Sequence, residues 1–195
     1  MKIILASASP RRAEILRQAG VAFSVLSSAI DETPYQRETP EALVLRLSAA
    51  KAELVAARSV GPAFVVAADT VVVTDGHILG KPRSTDDARH ILQSLSGRTH
   101  TVLTGVTMIR LPDAQRRQFV ESTLVTFSML TPEEISAYLD SGEPFDKAGA
   151  YAIQGLAARF IPRIEGCYYN VMGLPLAHLL THLRDFGWSE EKSNE

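Results

Sequence analysis

A small set of basic and acidic residues stands out from the rest of the sequence by type and position. The set is Arg11, Arg12, Glu32, Lys51, Asp69 and Lys81. Guanidinium and ammonium groups bind phosphate oxygens, whereas carboxylates bind hard divalent cations and accept protons from water. Together these cationic and carboxylate side chains are the minimum set of groups for metal-assisted hydrolysis of a phosphoanhydride.

Arg11 and Arg12 lie in the first turn of a predicted helix, where cations are normally unfavourable. An apolar strand leads into Ser9, which suits the N-cap, and Pro10 fits the first helical position. Because a helix N-terminus carries a partial positive charge, it favours carboxylates by about 0.3–1 kcal/mol each. A bound phosphate would turn both arginines and the exposed backbone N–H groups into ligands. The alternative, that both side chains extend into water, stays open.

Asp69 and Lys51 are charged residues at positions predicted to be buried. Asp69 and Thr70 interrupt the apolar strand FVVAADTVVV, and a buried carboxylate costs several kcal/mol unless it is paired, hydrogen-bonded or bound to a metal. Lys51 lies one helical turn after Leu47, on the apolar face of a predicted helix. For Asp69 we favour a functional site over a structural salt bridge. For Lys51 the alternative is a buried stem with its ammonium group in water.

Lys81 and Glu32 lie in predicted loops. Lys81 stands between Gly80 and Pro82, and Glu32 follows Asp31 in a polar loop, where it could supply a second acidic ligand. An ordinary solvated side chain is the alternative for both. The segment GHILGKP is not a Walker A loop, because it is one residue short between its glycines and Pro82 replaces the Ser or Thr that binds magnesium.

The elements that must position these residues alternate between strands and helices. The pattern predicts strands over 2–6, 21–26, 64–73, 77–79, 99–111, 118–130 and 159–164, and helices over 10–19, 39–58, 85–96 (capped by Thr85), 131–141 and 175–186. Since hairpins interrupt the alternation, we expect a mixed α/β fold rather than a pure doubly wound sheet. No linker divides the chain, so we predict a single domain over 1–195 with a flexible tail at 188–195.

Composition and charge exclude several classes of protein. A formal net charge of -2 and an isoelectric point near 6.2 argue against a nucleic-acid-binding domain, which usually has an isoelectric point above about 9. Cys167 is the single cysteine, so no internal disulfide forms. No apolar run reaches the roughly 18 residues of a membrane span, and the first residues are too quickly polar for a signal peptide. We expect a cytoplasmic protein with neither nucleic-acid nor membrane partners.

Several motifs, in this order along the chain, resemble those of the Maf family of nucleotide pyrophosphatases. They are LASASPRR, RLSAAKA, AADTVV, LGKP, LSGRTH, DKAGAYAIQG and YYNVMGLP. The resemblance implies an elongated α/β fold similar to inosine triphosphate pyrophosphatases, with two lobes around a central mixed β-sheet and a nucleotide cleft between them. It also implies hydrolysis of a nucleoside triphosphate to the monophosphate and pyrophosphate with a divalent cation, Mg²⁺, Mn²⁺ or Co²⁺.

The same resemblance implies roles for individual residues. Asp69 of the ADT motif would be the general base that activates water, and both Asp69 and Glu32 would contact the metal. The triphosphate would be bound by Ser7, Ser9, Arg11, Arg12, Lys51 and Lys81.

Three residues match the branch of the family that hydrolyses dTTP and UTP, namely Arg12, Thr70 and Gln154. The branch acting on 7-methyl-GTP typically has Trp at the position of Arg12 and Glu at that of Gln154. The amide of Gln154 can both donate to and accept from the O4 and N3 edge of uracil or thymine, although a loop glutamine that bonds to backbone is the alternative. Modified pyrimidine triphosphates are further candidate substrates.

Two other functions stay open from the sequence. Family members were described as inhibitors of septum formation, so the chain could be a nucleotide-sensing regulator of cell division, and a 7-methyl-GTP pyrophosphatase is the second alternative. A sensor needs no carboxylate that activates water, so Asp69 together with Lys51 and Lys81 favours a hydrolase of the nucleotide diphosphatase type. The sequence leaves open whether the chain forms a homodimer, which metal it prefers and which pyrimidine triphosphate is its physiological substrate.

Overall fold

The computed structural model describes residues 1–27 and 29–189, which contain seven strands and six α-helices. The strands are β1 Lys2–Leu5, β2 Phe23–Val25, β3 Ala63–Thr74, β4 His77–Leu79, β5 Thr99–Leu111, β6 Gln115–Thr126 and β7 Arg163–Glu165. The helices are α1 Pro10–Gln18, α2 Pro40–Ala56, α3 Thr85–Leu95, α4 Pro132–Asp140, α5 Tyr168–Met172 and α6 Leu176–Asp185, and short 3-10 segments cover Glu143–Asp146, Ala148–Ala150 and Leu156–Phe160. No helix in the described ranges is long and apolar enough to cross a membrane.

The strands form a mixed sheet in the order β2-β1-β3-β5-β6-β7, and β4 pairs with β3. Strand β1 is parallel to both β2 and β3, whereas β4 is antiparallel to β3. The side chains of Thr99 and Thr126 meet at 2.9 Å, and those of Thr107 and Gln118 meet at 3.0 Å. Because the later residue in β5 faces the earlier residue in β6, these two strands are antiparallel. The predicted mixed α/β fold with a central mixed sheet is therefore confirmed.

The chain divides into two compact units. The first contains Met1–Asp69, Thr104–Val120 and the C-terminal segment from Gly173, and the second contains Thr70–Leu103 and Glu121–Met172. The single domain over 1–195 stays a prediction.

The first unit is built around β3 and α2. Strand β3 is almost continuously apolar and is buried along most of its length, as expected for a strand covered on both faces. Helix α2 approaches β5 very closely at Gly105. A Cβ atom at this position would lie 2.5 Å from the carbonyl group of Val44. A hydrogen bond of 2.8 Å between the hydroxyl groups of Ser48 and Thr107 joins the same two elements. This packing fixes the position of α2 and of the side chains it carries.

The second unit has its own hydrophobic core, to which α3 and α4 contribute their apolar faces. Its buried residues include Val72, Leu92, Leu95, Val102, Phe127, Tyr138, Tyr151 and Phe160. Helix α4 begins with a capping box, in which Thr131 and Glu134 satisfy each other's backbone N–H groups.

Some predicted boundaries are wrong for local reasons. The N-cap of α3 is Ser84 rather than Thr85, because the Ser84 hydroxyl accepts the N–H of Asp87 at 3.1 Å. The strand predicted over 159–164 is a 3-10 segment up to Phe160 followed by the short strand β7. Helix α5 was not predicted, since its five residues are too few to show a helical period.

The predicted flexible tail begins too early. Trp188, its first residue, is buried, and the backbone N–H of Trp188 donates to the carbonyl group of Leu183 at 2.9 Å. The tail residues 190–195 lie outside the described residues.

Candidate functional site

Helix α1 begins at the predicted residues but has no hydrogen bond from the side chain of its N-cap residue. Ser9 is the N-cap and Pro10 opens the helix, yet the Ser9 side chain makes no capping hydrogen bond, and the first turn holds no acidic residue. The hydroxyl group of Ser7 accepts the backbone N–H of Ser9 at 3.1 Å instead. The buried Ser7 therefore shapes the turn between β1 and α1.

Arg12 is held against this turn rather than extended into water. Its Nε donates to the carbonyl group of Gly173 at 2.8 Å, and its Nη1 donates to the hydroxyl group of Ser7 at 3.2 Å. Burial lowers the pKa of the Arg12 guanidinium, while the charges of Asp69 and Glu32 counteract part of this shift. The alternative of a solvated side chain is thus wrong for Arg12. Arg11 beside it is half-buried.

Lys51 is the centre of a charge cluster in which Lys51 and Asp69 are buried and Glu32 is exposed. It projects from the middle of α2, which follows the N-cap Thr39, and only 7% of Lys51 is exposed. Its Nζ lies 2.6 Å from Oδ1 of Asp69 and 2.6 Å from Oε1 of Glu32. The ammonium group is therefore paired with the buried carboxylate of Asp69 and with the exposed carboxylate of Glu32, and the alternative of an ammonium group in water is wrong.

Asp69 is the buried carboxylate of the cluster, and 7% of the residue is exposed. Burial raises the pKa of Asp69 above the usual value for an aspartate; the charge and hydrogen bond of Lys51 and the charge of Arg12 oppose this shift, and the charge of Glu32 adds to it. A carboxylate whose pKa is raised in this way is a stronger proton acceptor than one in water. The site can therefore support general base chemistry.

Glu32 reaches the cluster from a loop whose shape is set by α2. Arg46, on α2, binds both carboxylate oxygens of Glu38 at 2.6 and 2.8 Å, and its Nη2 donates to the carbonyl group of Thr33 at 3.1 Å. Its guanidinium group also lies 3.9 Å from the centre of the Tyr35 ring. Arg46 thus fastens the loop on the C-terminal side of Glu32.

The sequence analysis missed Arg46 and Glu38 as parts of the site. Their positions were the one available signal. Arg46 lies on the helix that carries Lys51, and Glu38 lies just before the N-cap of the same helix. Nothing in that spacing identifies Thr33 as a further partner, because the loop conformation is needed to bring its carbonyl group to Arg46.

The acidic pair has the donor chemistry of a divalent-cation site. Asp69 and Glu32 contact the same ammonium nitrogen, so their contacting oxygens are close neighbours. Magnesium in enzymes is commonly bound by one or two carboxylates together with substrate phosphates and water. In the part of the chain that the structure describes, no group of three or more His, Cys, Asp or Glu side chains is arranged for a metal. Asp69 and Glu32 could therefore supply two ligands of a divalent cation, and its remaining ligands would have to come from other molecules.

Three predicted residues lie in the second unit. Lys81 is exposed and, together with Arg83 and Asp87, lines a cavity of about 470 Å³.

Thr70 is half-buried and directly follows Asp69 along β3, and Gln154 is exposed between two 3-10 segments. Their participation in one site with Lys51 and Asp69 stays a prediction.

Comparison with known proteins identifies what the chain is similar to. A family model described as Maf-like protein matches residues 2–186. The chain is 50% identical over 188 residues to the dTTP/UTP pyrophosphatase of Carboxydothermus hydrogenoformans, which covers 96% of this chain and 100% of that protein. It is also 50% identical over 186 residues to the dTTP/UTP pyrophosphatase of Syntrophus aciditrophicus, with 95% of this chain and 90% of that protein covered.

A solved structure supports the fold. The Staphylococcus aureus Ham1 protein matches 95% of this chain and 100% of its own with a TM-score of 0.52 and 12% sequence identity. At this identity the match shows a shared fold and carries no information on activity.

Proposed function

Because the chain belongs to the Maf-like protein family, we propose that it is a hydrolase that converts dTTP and UTP to the monophosphate and pyrophosphate. Relatives at 50% identity over nearly the whole chain are dTTP/UTP pyrophosphatases, which supports the substrate. The observation that carries the chemistry is the contact of the buried Lys51 with the buried carboxylate of Asp69 and with the exposed carboxylate of Glu32. Cationic and anionic side chains in contact within one site can bind a phosphoanhydride and activate its attacking water.

In this proposal Asp69 is the general base. Its carboxylate accepts a proton from water while the water oxygen attacks the α-phosphorus and the bond to the oxygen bridging α- and β-phosphorus breaks. Pyrophosphate leaves, and the water oxygen stays on the monophosphate. Burial, which raises the pKa of Asp69, makes it a better proton acceptor for this step.

Basic residues hold the triphosphate in the same proposal. Arg12 and Arg11 stand in the first turn of α1, at the end of the helix whose dipole favours anions. Ser7, Ser9, Lys51 and Lys81 complete the proposed set of phosphate ligands. Arg12 is already oriented by its bonds to Ser7 and Gly173, so little conformational entropy is lost when it binds an anion.

Asp69 and Glu32 are the proposed protein ligands of a divalent cation, Mg²⁺, Mn²⁺ or Co²⁺. When bound, such a cation neutralises phosphate charge and polarises a phosphoryl oxygen. Cytoplasmic location is part of the same proposal, because the substrates are nucleoside triphosphates.

Selectivity for pyrimidines is assigned to Arg12, Thr70 and Gln154. The Gln154 amide can donate to O4 of uracil or thymine and accept from N3–H, a pairing that a glutamate cannot provide. The same edge is present in 5-methyl-UTP and related modified triphosphates, which are included in the proposed substrate class.

Hydrolysis of UTP in ¹⁸O-labelled water tests the reaction. We expect UMP and pyrophosphate as products, with the label in UMP, measured by mass spectrometry after chromatographic separation. Label in pyrophosphate would place the attack on the β-phosphorus. Release of UDP and orthophosphate would place it on the γ-phosphorus, and either result would contradict the proposal.

The variant Asp69→Asn tests the base in the same assay. We expect it to fold and to lose at least about a hundredfold in kcat, since the amide cannot accept the proton. Asp140→Asn, which changes an exposed aspartate at the end of α4, is the matched control with unchanged kcat. An Asp69→Asn enzyme with wild-type kcat would remove Asp69 from this role.

A further inference from the structure

Glu143 lies outside any predicted site, and its carboxylate accepts several hydrogen bonds. Its Oε1 accepts the phenol hydroxyl of Tyr138 at 2.8 Å, and its Oε2 accepts the backbone N–H of Leu156 at 2.8 Å. The backbone N–H of Ala157 approaches Oε1 at 3.4 Å. Both oxygens of the half-buried carboxylate are therefore engaged, and two of their donors are backbone groups on the segment that directly follows Gln154.

Gly155 has no side chain because the Glu143 carboxylate occupies that space. A Cβ atom at Gly155 would lie 2.3 Å from Oε1 and 2.4 Å from Oε2 of Glu143. The backbone of Gly155, with φ −101° and ψ −156°, lies in a region that is open to other residues. The glycine is thus required by the approach of the carboxylate and not by the backbone conformation.

The other side of Gln154 is anchored independently. The hydroxyl group of Tyr151 and Nε2 of His100 form a buried hydrogen bond of 2.8 Å, and both rings pack edge to face against Phe127. Gln154 is therefore exposed on a short segment whose two ends, Tyr151 and Leu156, are tied to the core of the second unit.

We propose that Glu143 is a positioning residue that holds Gln154 in the orientation in which its amide recognises the pyrimidine base. This inference rests on the proposed function, in which Gln154 contacts the base. A glutamine side chain has three rotatable bonds, so its amide can discriminate between bases only if its backbone is fixed. The carboxylate of Glu143 fixes that backbone through the peptide groups immediately after Gly155.

The variant Glu143→Gln tests this role by kinetics. Its amide has one oxygen, so it cannot accept from both Tyr138 and Leu156, and its NH₂ group would face one of these donors. We expect kcat/KM for UTP and dTTP to fall by about tenfold or more, mainly through KM. We expect kcat/KM for ATP and GTP to change by less than about threefold, so the pyrimidine selectivity ratio falls.

A double-mutant cycle distinguishes positioning from a general structural role. If Glu143 acts through Gln154, the variant Gln154→Ala and the double variant have the same reduced selectivity ratio, because the Glu143 change removes nothing further once the amide is absent. Additive losses in the double variant would overturn the inference, as would an equal loss of kcat/KM for all nucleotides in Glu143→Gln.

Gly155→Ala is a second variant that does not remove the carboxylate. Its Cβ would displace the Glu143 side chain, so we expect the same loss of selectivity, and a folded Gly155→Ala enzyme with wild-type selectivity would overturn the inference. Glu133→Gln, an exposed acid in the first turn of α4, is the matched control with unchanged selectivity. The proposed function is tested separately, by whether the wild-type enzyme forms UMP and pyrophosphate from UTP.

Discussion

At the scale of single residues, Lys51 sets the charge balance of the site. Its ammonium group is the shared partner of Asp69 and Glu32. Without it, less positive charge would offset the repulsion between the two carboxylates. The charge and hydrogen bond of Lys51 favour the ionised form of Asp69, whose pKa burial has raised. Lys51 therefore has a larger effect on the proton affinity of the proposed base than Arg12, the other cation that acts on it.

The variant Lys51→Met should shift the pH dependence of the reaction. Because Lys51 lowers the pKa of Asp69, its removal raises that pKa further. The base acts only when ionised, so the acidic limb of kcat/KM is expected to move to higher pH, measured over pH 4–9. Lys2→Met, an exposed lysine on β1, should leave the limb in place. A limb at unchanged pH in Lys51→Met would contradict the coupling.

At the scale of elements, helix α2 organises the site from one side. It carries Lys51, it packs on β5 through Gly105, and through Arg46 it holds the loop that bears Glu32. The ion pair with Arg46 lowers the pKa of Glu38 to about 2, so the pair stays ionised over the whole working range of an enzyme. The loop is thus fixed by a charge-assisted, bidentate contact.

The variant Arg46→Met should loosen this loop and weaken the proposed metal ligand Glu32. We expect the concentration of Mg²⁺ or Mn²⁺ at half-maximal activity to rise by about tenfold, the lower end of the effect of losing support behind a metal ligand. Titration of activity with each metal measures it. Arg116→Met, which breaks an exposed pair with Glu53 at 2.8 Å in the same unit, is the matched control. If the metal concentration at half-maximal activity is the same in Arg46→Met and Arg116→Met, Arg46 does not support Glu32.

At the scale of the whole molecule, the predicted residues divide between two compact units. The charge cluster lies in the first unit and the Gln154 segment in the second, and the division falls between Asp69 and Thr70 within the ADT motif. The second unit contains a buried histidine, His100, which is 2% exposed and whose Nδ1 has no hydrogen-bond partner in the described structure. Burial lowers the pKa of His100 to about 4.

The stability of the protein should therefore depend on pH through His100. Between about pH 6.5, where an unfolded histidine titrates, and about pH 4, the unfolded chain binds a proton that the folded chain does not. Stability falls as pH is lowered through this window, by at most about 1.4 kcal/mol per pH unit for this group. His100→Gln keeps a polar group beside Tyr151 but does not titrate, so its unfolding free energy should fall less steeply. Equal slopes in urea denaturation of both proteins would contradict this assignment.

Local patterns in the sequence determined the family, the mixed α/β class and most elements. The caps Thr39 and Thr131 and the Asp75-Gly76 turn between β3 and β4 were predictable because capping and turn formation depend on residues within a few positions. The burial of Asp69 and Lys51 was predictable for the same reason, since apolar neighbours at strand or helix spacing reveal a buried position.

Only the tertiary structure decided which groups meet. Periodicity shows that a charged side chain is buried but does not show its partner, and the partners lie far apart in the sequence. Arg12 bonds to a carbonyl group 161 residues away, Lys51 reaches Asp69 18 residues away, and the carboxylate of Glu143 fills the space left by Gly155. These contacts arise when strands pair and helices pack, so the three-dimensional fold was needed to show Lys51 between two acids and Glu143 beside Gly155.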